Sequence, residues 1–217
     1  MKLKLNPGQE VFFTSDTHIN HKNICRGVSE WGSTSEFRTR DFPDLESMNS
    51  TIIDNINRKV GQNDILFHLG DFSFGGHHNI PNFRNRIICE NIILILGNHD
   101  EHIEKNTDGY QDLFTSVHKY LEVEIIQPPT HSILGNGGRY NFVLCHFPIA
   151  SWNNIRKSWM HLHGHLHLEK DKKVSPGKMM DVGVDGNDLM PYSLGEVLKI
   201  IKDRPNKSLM SFDHHSD

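Results

Sequence analysis

The sequence predicts an α/β sandwich with mixed β-sheets, formed by one domain that spans residues 1–217. In the first half of the chain, short apolar runs alternate with helical periodicity, which is typical of strands joined by helices. In the second half, the apolar runs are separated by glycine-rich turns, which favours hairpins. A chain of 217 residues can bury one full hydrophobic core, and no linker divides it.

The first half contains the elements that define the α/β pattern. Apolar residues at 11–13 predict a strand, and helical spacing of apolar residues over 44–59 predicts an amphipathic helix. Further strands are expected at 64–69 and 92–96, with a short helix over 79–88 between them. Residues 29–43 form a long irregular stretch, which we interpret as a flap beside the functional site. We expect the flap to influence substrate choice.

The second half reads mainly as strands. One strand is expected near 117–126, and two more, at 133–134 and 142–145, are expected to form a hairpin through the glycines of 135–138. Residues 161–168 alternate histidine with apolar residues around Gly164, and 179–184 predicts another strand. Ser193 and Glu196 form a capping box for a helix over 193–201, and the tail from about 204 to 217 is expected to fray.

Composition excludes several classes of function. The formal net charge of −4 provides no basic excess for holding a long polyanion. The three cysteines are isolated, so they predict neither a disulfide framework nor a CxxC zinc site. No long apolar run or leader is visible, so we expect a cytoplasmic protein with no membrane partner. The unusual feature is histidine, with 16 copies, because histidine is a frequent metal ligand and acid–base group.

The positions of several histidines, together with those of other polar residues, indicate a functional site. Polar residues follow the predicted strands on five separate segments, where open α/β sheets commonly bind ligands. An accidental surface distribution would not repeat this arrangement five times. The strand-end residues are Asp16, His18, Asp71, Asn98, His99, His146, His165 and His167. By contrast, His68 lies inside an apolar run and is expected to be a satisfied core histidine.

This ordered set resembles the calcineurin-like metallophosphoesterases. The resemblance rests on Asp16-Thr17-His18, Gly70-Asp71, Gly97-Asn98-His99-Asp100, Cys145-His146 and Gly164-His165-Leu166-His167. It covers roughly residues 11–190 and is most similar to the small bacterial and phage branch of the family. It implies a four-layer α/β/β/α sandwich with two mixed sheets and two divalent metal ions.

The resemblance also implies a role for each residue. Asp71 would bridge the two metals, and Asn98 would be a neutral ligand that keeps the loaded site positive. His99 would be the general acid that protonates the leaving oxygen, or else an orienting residue, and Asp100 would hold its ring. The first metal would be completed by Asp16, His18 and His167, and the second by Asn98, His146 and His165. Weaker candidates for substrate contact are His21, Asn23 and Arg26.

Oxygen and nitrogen ligands without sulfur suit Mn, Fe, Zn, Co or Ni, and we expect activity with Mn. Two such ions about 3.5–4 Å apart would neutralise a phosphoester and supply a bridging hydroxide for in-line attack. We therefore predict a metal-dependent phosphoesterase that acts on small phosphodiesters or nucleotides rather than on proteins, with phosphodiesterase activity favoured over phosphomonoesterase activity. The sequence does not set the oligomeric state.

Two alternatives stay open. The first is a nuclease or cyclic (oligo)nucleotide phosphodiesterase, which would need a basic lip around the site. Candidates for that lip are Lys22, Arg26, Arg38, Arg40, Arg156 and Lys157. In that case Trp152 and Trp159 would stack a base, although a core or interface role is equally expected. The second alternative is a catalytically silent scaffold, disfavoured because every expected ligand is present.

Overall fold

The structure is a computed structural model that describes residues 1–32, 39–128, 138–207 and 209. Its strands and helices follow one another as listed here. They are β1 (Lys2–Lys4), β2 (Val11–Thr14), α1 (Leu45–Lys59), β3 (Ile65–His68), α2 (Asn79–Arg84), β4 (Asn91–Ile95), α3 (Glu101–Glu104), β5 (Ser116–His118), β6 (Tyr120–Gln127), β7 (Gly138–Cys145), β8 (Met160–His163), β9 (Met179–Asp181), β10 (Tyr192–Ser193) and α4 (Leu194–Ile201).

These strands form two mixed sheets of five strands each, as the predicted fold class requires. The first has the order β10-β2-β3-β4-β5, with β2 to β5 parallel and β10 antiparallel. The second has the order β1-β6-β7-β8-β9, in which only β6 and β7 pair antiparallel. Parallel neighbours bring their carboxyl ends to one edge of each sheet, which is where the candidate ligands lie.

The main core lies between the sheets. Phe13 and Phe67 of the first sheet stack with ring centroids 5.4 Å apart, and Phe13 also contacts Phe142 of the second sheet. Strand β2 is buried on both faces, because its other face packs against α1 and α2 in a second apolar cluster. The outer face of the second sheet is covered by a smaller cluster around Trp152. The segment that carries this cluster forms the fourth layer of the sandwich, and it contains a short 3₁₀ turn in place of a long helix.

Both predicted helix starts are confirmed. The carboxylate of Asp44 accepts a hydrogen bond from the Ser47 amide at the start of α1. Ser193 and Glu196 form the predicted capping box of α4. Within the described residues, no helix is both long and apolar enough to cross a membrane.

Two strand predictions in the second half need correction. The single strand expected near 117–126 is two strands, β5 in the first sheet and β6 in the second, divided at Lys119. The alternation of apolar and polar residues continues from β5 into β6, so the sequence pattern does not reveal that the chain passes from one sheet to the other. The hairpin partner of β7 is β6; residues 133–134, expected to pair there, lie outside the described part, as do 33–38 of the flap.

Candidate metal centre

Loops from both sheets meet at one edge of the sandwich and bring six candidate ligands together. Their donor atoms form two groups of three, and within each group they lie within 4.8 Å of one another. The groups are Asp16, His18 and His167, and Asp71, His146 and His165. All donors are carboxylate oxygens or imidazole nitrogens, a set that suits divalent transition ions.

Asp71 lies between the two groups. Its Oδ2 is 3.4 Å from Nε2 of His18 on one side and 3.4 Å from Nε2 of His146 on the other. Asn98 lies beside the second group, with its Oδ1 3.2 Å from Nε2 of His146. The arrangement matches the expected division of ligands, with one carboxylate placed to be shared.

The backbone at these ligands is unusual. Asp16, His18 and Asp71 have φ values of 56°, 47° and 55°, and His165 and His167 have 71° and 50°. Left-handed backbone is uncommon for residues other than glycine and carries a conformational cost, and it clusters at functional sites. Here it turns the side chains sharply away from the strand direction and towards a common point.

Two glycines allow the loops after β3 and β4 to touch. A Cβ on Gly97 would lie 2.2 Å from Oδ1 of Asp71 and 2.5 Å from its backbone nitrogen. Gly70 has a φ of 96°, and a Cβ there would lie 2.5 Å from the Gly97 nitrogen. Close approach of the two backbones therefore requires glycine at position 97.

Gly97→Ala is expected to lower the free energy of unfolding by about 1–3 kcal/mol, because the methyl group collides with fixed backbone and with Asp71. Urea denaturation followed by circular dichroism measures the loss. Gly32→Ala is the control, since a Cβ at Gly32 has nothing within 4 Å. Equal stability of the two variants would contradict the close packing described here.

Hydrogen bonds fix the orientation of two ligand histidines. Nδ1 of His146 donates to the Leu69 carbonyl at 2.7 Å, which leaves Nε2 free to face Asp71. Nδ1 of His167 lies 2.8 Å from Oδ2 of Asp185, so its Nε2 likewise faces the cluster. Such partners select the tautomer of a ligand histidine and hold its ring.

Arg40 supports Asp185 in this role. Its Nε and Nη2 donate to the two oxygens of Asp185 at 2.9 and 3.1 Å. Its guanidinium also donates to the carbonyls of Asp16 and Thr17 at 2.5 and 2.7 Å. Burial opposes ionisation of Asp185, but Arg40 and His167 hold its pKa well below the usual range. Arg40 is only 5% exposed, so its predicted place in a basic lip is wrong.

Asp185→Asn is expected to weaken binding of a divalent ion by about 10- to 100-fold. The amide carries no charge and replaces one of the two acceptor oxygens by an NH₂ group, which cannot accept from Arg40 or His167. Calorimetric titration of metal-free protein with Mn²⁺ measures the affinity. Asp188→Asn is the matched control, since Asp188 is exposed and pairs with Lys170. Unchanged affinity in Asp185→Asn would show that His167 needs no such support.

The charges around Asp71 favour a cation at this place. Burial disfavours its charged form, yet hydrogen bonding by His146 and the charges of His146 and His18 hold its pKa below the usual range. Burial likewise opposes a charged His146, but Asp71 and Asp16 outweigh it and raise its pKa to about 9. Bound divalent ions would take over this balancing charge and displace the protons. The residues present therefore fit the metal pair that the resemblance implies.

His99 and Asp100 behave differently from each other. The His99 ring is exposed in the cleft, 5.4 Å from the His18 ring, and its amide donates to Oδ1 of Asp71 at 2.9 Å. Asp100 does not hold that ring. Its buried carboxylate accepts from the amides of Asp71, Phe72 and Gly97 at 2.8, 2.9 and 2.8 Å. Burial raises the pKa of Asp100 to about 6, although these hydrogen bonds oppose the shift. Asp100 therefore ties the two ligand loops together.

His68 has a structural role. His68 is buried, with Nδ1 3.3 Å from the Gly70 amide and Nε2 2.9 Å from Oγ1 of Thr17. The amide can only donate, so His68 is neutral and carries its proton on Nε2. Burial lowers its pKa to about 3. The prediction of a satisfied core histidine is confirmed.

The three weaker candidates separate in the structure. His21 lines the cleft together with His99 and five of the expected ligands, which are His18, Asp71, Asn98, His165 and His167. Asn23 instead braces its own loop, because its Oδ1 accepts from the Glu30 amide at 2.9 Å. Arg26 forms an ion pair with Asp41, 3.2 Å apart, so it and Asn23 are not among the cleft-lining residues.

The predicted base-stacking tryptophans are not at the cleft. Trp152 is 5% exposed and its Nε1 donates to the Trp159 carbonyl at 2.9 Å. Both pack in the small cluster on the outer face of the second sheet. Their core role, which the sequence left open, is the one found.

Comparisons with known proteins identify a family for this chain. The model of the calcineurin-like phosphoesterase family matches residues 10–189. An uncharacterized protein of Methanocaldococcus jannaschii, MJ1445, is 28% identical over 89% of this chain and 92% of its own. The Gene 66 protein of Mycobacterium phage D29 is 27% identical over 89% of this chain and 96% of its own.

A solved structure shares the fold. The crystal structure of AQ665, a protein of unknown function from Aquifex aeolicus, superposes with a TM-score of 0.60 and 23% identity. The match covers 89% of this chain and 100% of the AQ665 chain. With a family match over most of its length and the predicted ligand residues gathered at one edge of two mixed sheets, this chain belongs to the calcineurin-like phosphoesterases.

Proposed function

We propose that this protein is a binuclear metal-dependent phosphodiesterase that acts on small phosphodiesters or nucleotides. The observation that carries the proposal is the position of Asp71 between two three-residue ligand groups. These groups open onto a cleft of about 290 Å³ that His99 also lines. A buried carboxylate with nitrogen ligands on both sides is the donor set that two neighbouring ions need.

The chain's own residues would divide the work. Asp71 would be the carboxylate available to both ions, and Asn98 would add a neutral oxygen, so the loaded site would keep positive charge facing the phosphoryl group. When bound, the ions would offset the charge of the phosphoester and lower the pKa of a bound water. His99 stands at the open side of the cleft, where its ring is free to give a proton to the leaving oxygen.

Charge and size support a small substrate. Among the described residues that line the cleft, none is lysine or arginine. Two members of the proposed basic lip are paired with carboxylates, Lys22 with Glu30 and Arg26 with Asp41. Arg40 is buried, and Arg38 lies outside the described residues. A polynucleotide backbone would find few free cations here, which favours a small phosphodiester over a nucleic acid.

The direct test is hydrolysis of bis-p-nitrophenyl phosphate and p-nitrophenyl phosphate by protein supplied with Mn²⁺, with and without a chelator. We expect chelator-sensitive turnover of both, faster for the diester. Faster turnover of the monoester would overturn the diester preference. Cleavage of single-stranded RNA at a comparable rate would favour the nuclease alternative. If none of these substrates is turned over in a metal-dependent way, the catalytically silent scaffold is the remaining alternative.

A further inference from the structure

One wall of the metal cleft is a row of aromatic rings. The ring of His21 stacks on Phe74 with centroids 4.0 Å apart and planes 17° apart. Trp31 forms a T-shaped contact with His21 at 5.7 Å between ring centroids, and Phe74 forms one with His99 at 5.1 Å. Trp31, His21 and His99 line the metal cleft, and Phe74 packs behind them and lines the adjoining pocket with His99. A chain of ring contacts therefore links the exposed rim of the cleft to the expected general acid.

Trp31 is the exposed end of this row. It is 42% exposed, although it is large and apolar, and it lines the same cleft as the ligand histidines. Its neighbour Ile24 is 3% exposed and also contributes to that cleft. An apolar side chain left in water beside a polar site is the kind of surface that a ligand covers.

Two cationic side chains among the described residues near the row are each paired with a carboxylate. The ammonium of Lys22 pairs with the carboxylate of Glu30, on the segment that carries Trp31. The guanidinium of Arg26 pairs with Asp41 at 3.2 Å. A second phosphate of a substrate would therefore meet no free cation among the described residues of this wall. An uncharged, planar group would fit it, because stacking on aromatic rings needs no counter-charge.

We propose that Trp31, with His21 and Phe74 behind it, forms a stacking subsite for a nucleobase attached to the phosphoryl group at the metal centre. This inference rests on the proposed function, and it narrows the substrate to nucleoside phosphodiesters with a single phosphate. Stacking tolerates every base, since each has an aromatic face. The subsite therefore selects nucleosides over alkyl groups without choosing one base.

The test compares two ligands that differ only by the base. AMP and ribose 5-phosphate share the phosphate and the sugar, so calorimetric titration of Mn²⁺-supplied protein isolates the contribution of the adenine. We expect AMP to bind about tenfold more tightly than ribose 5-phosphate, within the range reported for stacking of one base. Trp31→Ala should bring this ratio close to one, and Trp31→Phe, which keeps a ring, should restore most of it.

Equal affinities of the wild type for AMP and ribose 5-phosphate would overturn the subsite. So would an unchanged ratio in Trp31→Ala. Hydrolysis of bis-p-nitrophenyl phosphate by the same preparation separates the two proposals. Turnover of bis-p-nitrophenyl phosphate together with equal affinities for AMP and ribose 5-phosphate would support the phosphodiesterase and contradict the subsite. A tenfold higher affinity for AMP that depends on Trp31, without turnover of bis-p-nitrophenyl phosphate, would support the subsite and contradict the phosphodiesterase.

Discussion

Asp71→Asn is expected to lower metal-dependent phosphodiester hydrolysis by at least about 10³-fold. Asp71 is the carboxylate that both ligand groups approach, within 3.4 Å of His18 and of His146. An amide at this position offers one neutral oxygen in place of a shared anion, so both ions would bind less tightly. Charge stabilisation by metals contributes several kcal/mol to such reactions, which corresponds to this loss.

The control for this experiment is Asp54→Asn, on the exposed face of α1, which should hydrolyse substrate like the wild type. Circular dichroism establishes that Asp71→Asn is folded, and elemental analysis gives its metal content. A folded Asp71→Asn protein that retains both metal ions and more than a tenth of wild-type turnover would show that Asp71 does not bridge the centre.

His99→Ala is expected to lower kcat by about 10²- to 10⁴-fold on phosphodiesters whose leaving group is an alkyl alcohol. The reason is that an alkoxide leaves poorly without a proton. The loss on bis-p-nitrophenyl phosphate should be much smaller, since p-nitrophenolate leaves unprotonated. Metal content should not change, because His99 contacts the cluster through its backbone amide and lies outside both ligand groups.

His78→Ala is the matched control, since His78 is also exposed and does not line the cleft. Comparable losses in His99→Ala on both kinds of leaving group would assign His99 to binding of the phosphoryl group, and proton transfer would then need another donor. Loss of metal together with activity would instead make His99 a ligand.

The sequence predicts most of the fold and the location of the candidate site, because both depend on local patterns. Apolar runs followed closely by Asp, Asn or His mark the ends of β2, β3, β4, β7 and β8. Gly164 correctly divides β8 from the loop that carries His165 and His167. Spacing also predicts the capping box of α4. These signals need only the residues within a few positions of each other.

What the sequence does not reveal depends on long-range contacts. Asp185 lies 18 residues from His167 and 145 from Arg40, and no local pattern joins them. An aspartate after the β9 segment was the available signal, but only the folded chain shows which histidine it holds. The role that the resemblance implies for Asp100 differs from the one found, for a related reason. The turn after β4 directs its buried carboxylate to three backbone amides and not to the His99 ring.

The position of Trp31 illustrates the same limit. The sequence contains three tryptophans, Trp31, Trp152 and Trp159. Trp152 and Trp159 are the candidates for stacking because they follow His146 in the sequence. Packing decides otherwise, since Trp152 fills the outer cluster of the second sheet while Trp31 stays 42% exposed at the cleft. Exposure is a property of the whole fold and cannot be read from the spacing of aromatic residues.

The central claim is that one carboxylate is shared by two metal ions. Calorimetric titration of metal-free protein with Mn²⁺, confirmed by elemental analysis after desalting, tests it most directly. We expect two ions per chain for the wild type and a marked loss of both in Asp71→Asn, because both ligand groups approach its Oδ2. Saturation of the wild type at one ion per chain or fewer, or loss of only one ion in Asp71→Asn, would contradict the binuclear centre.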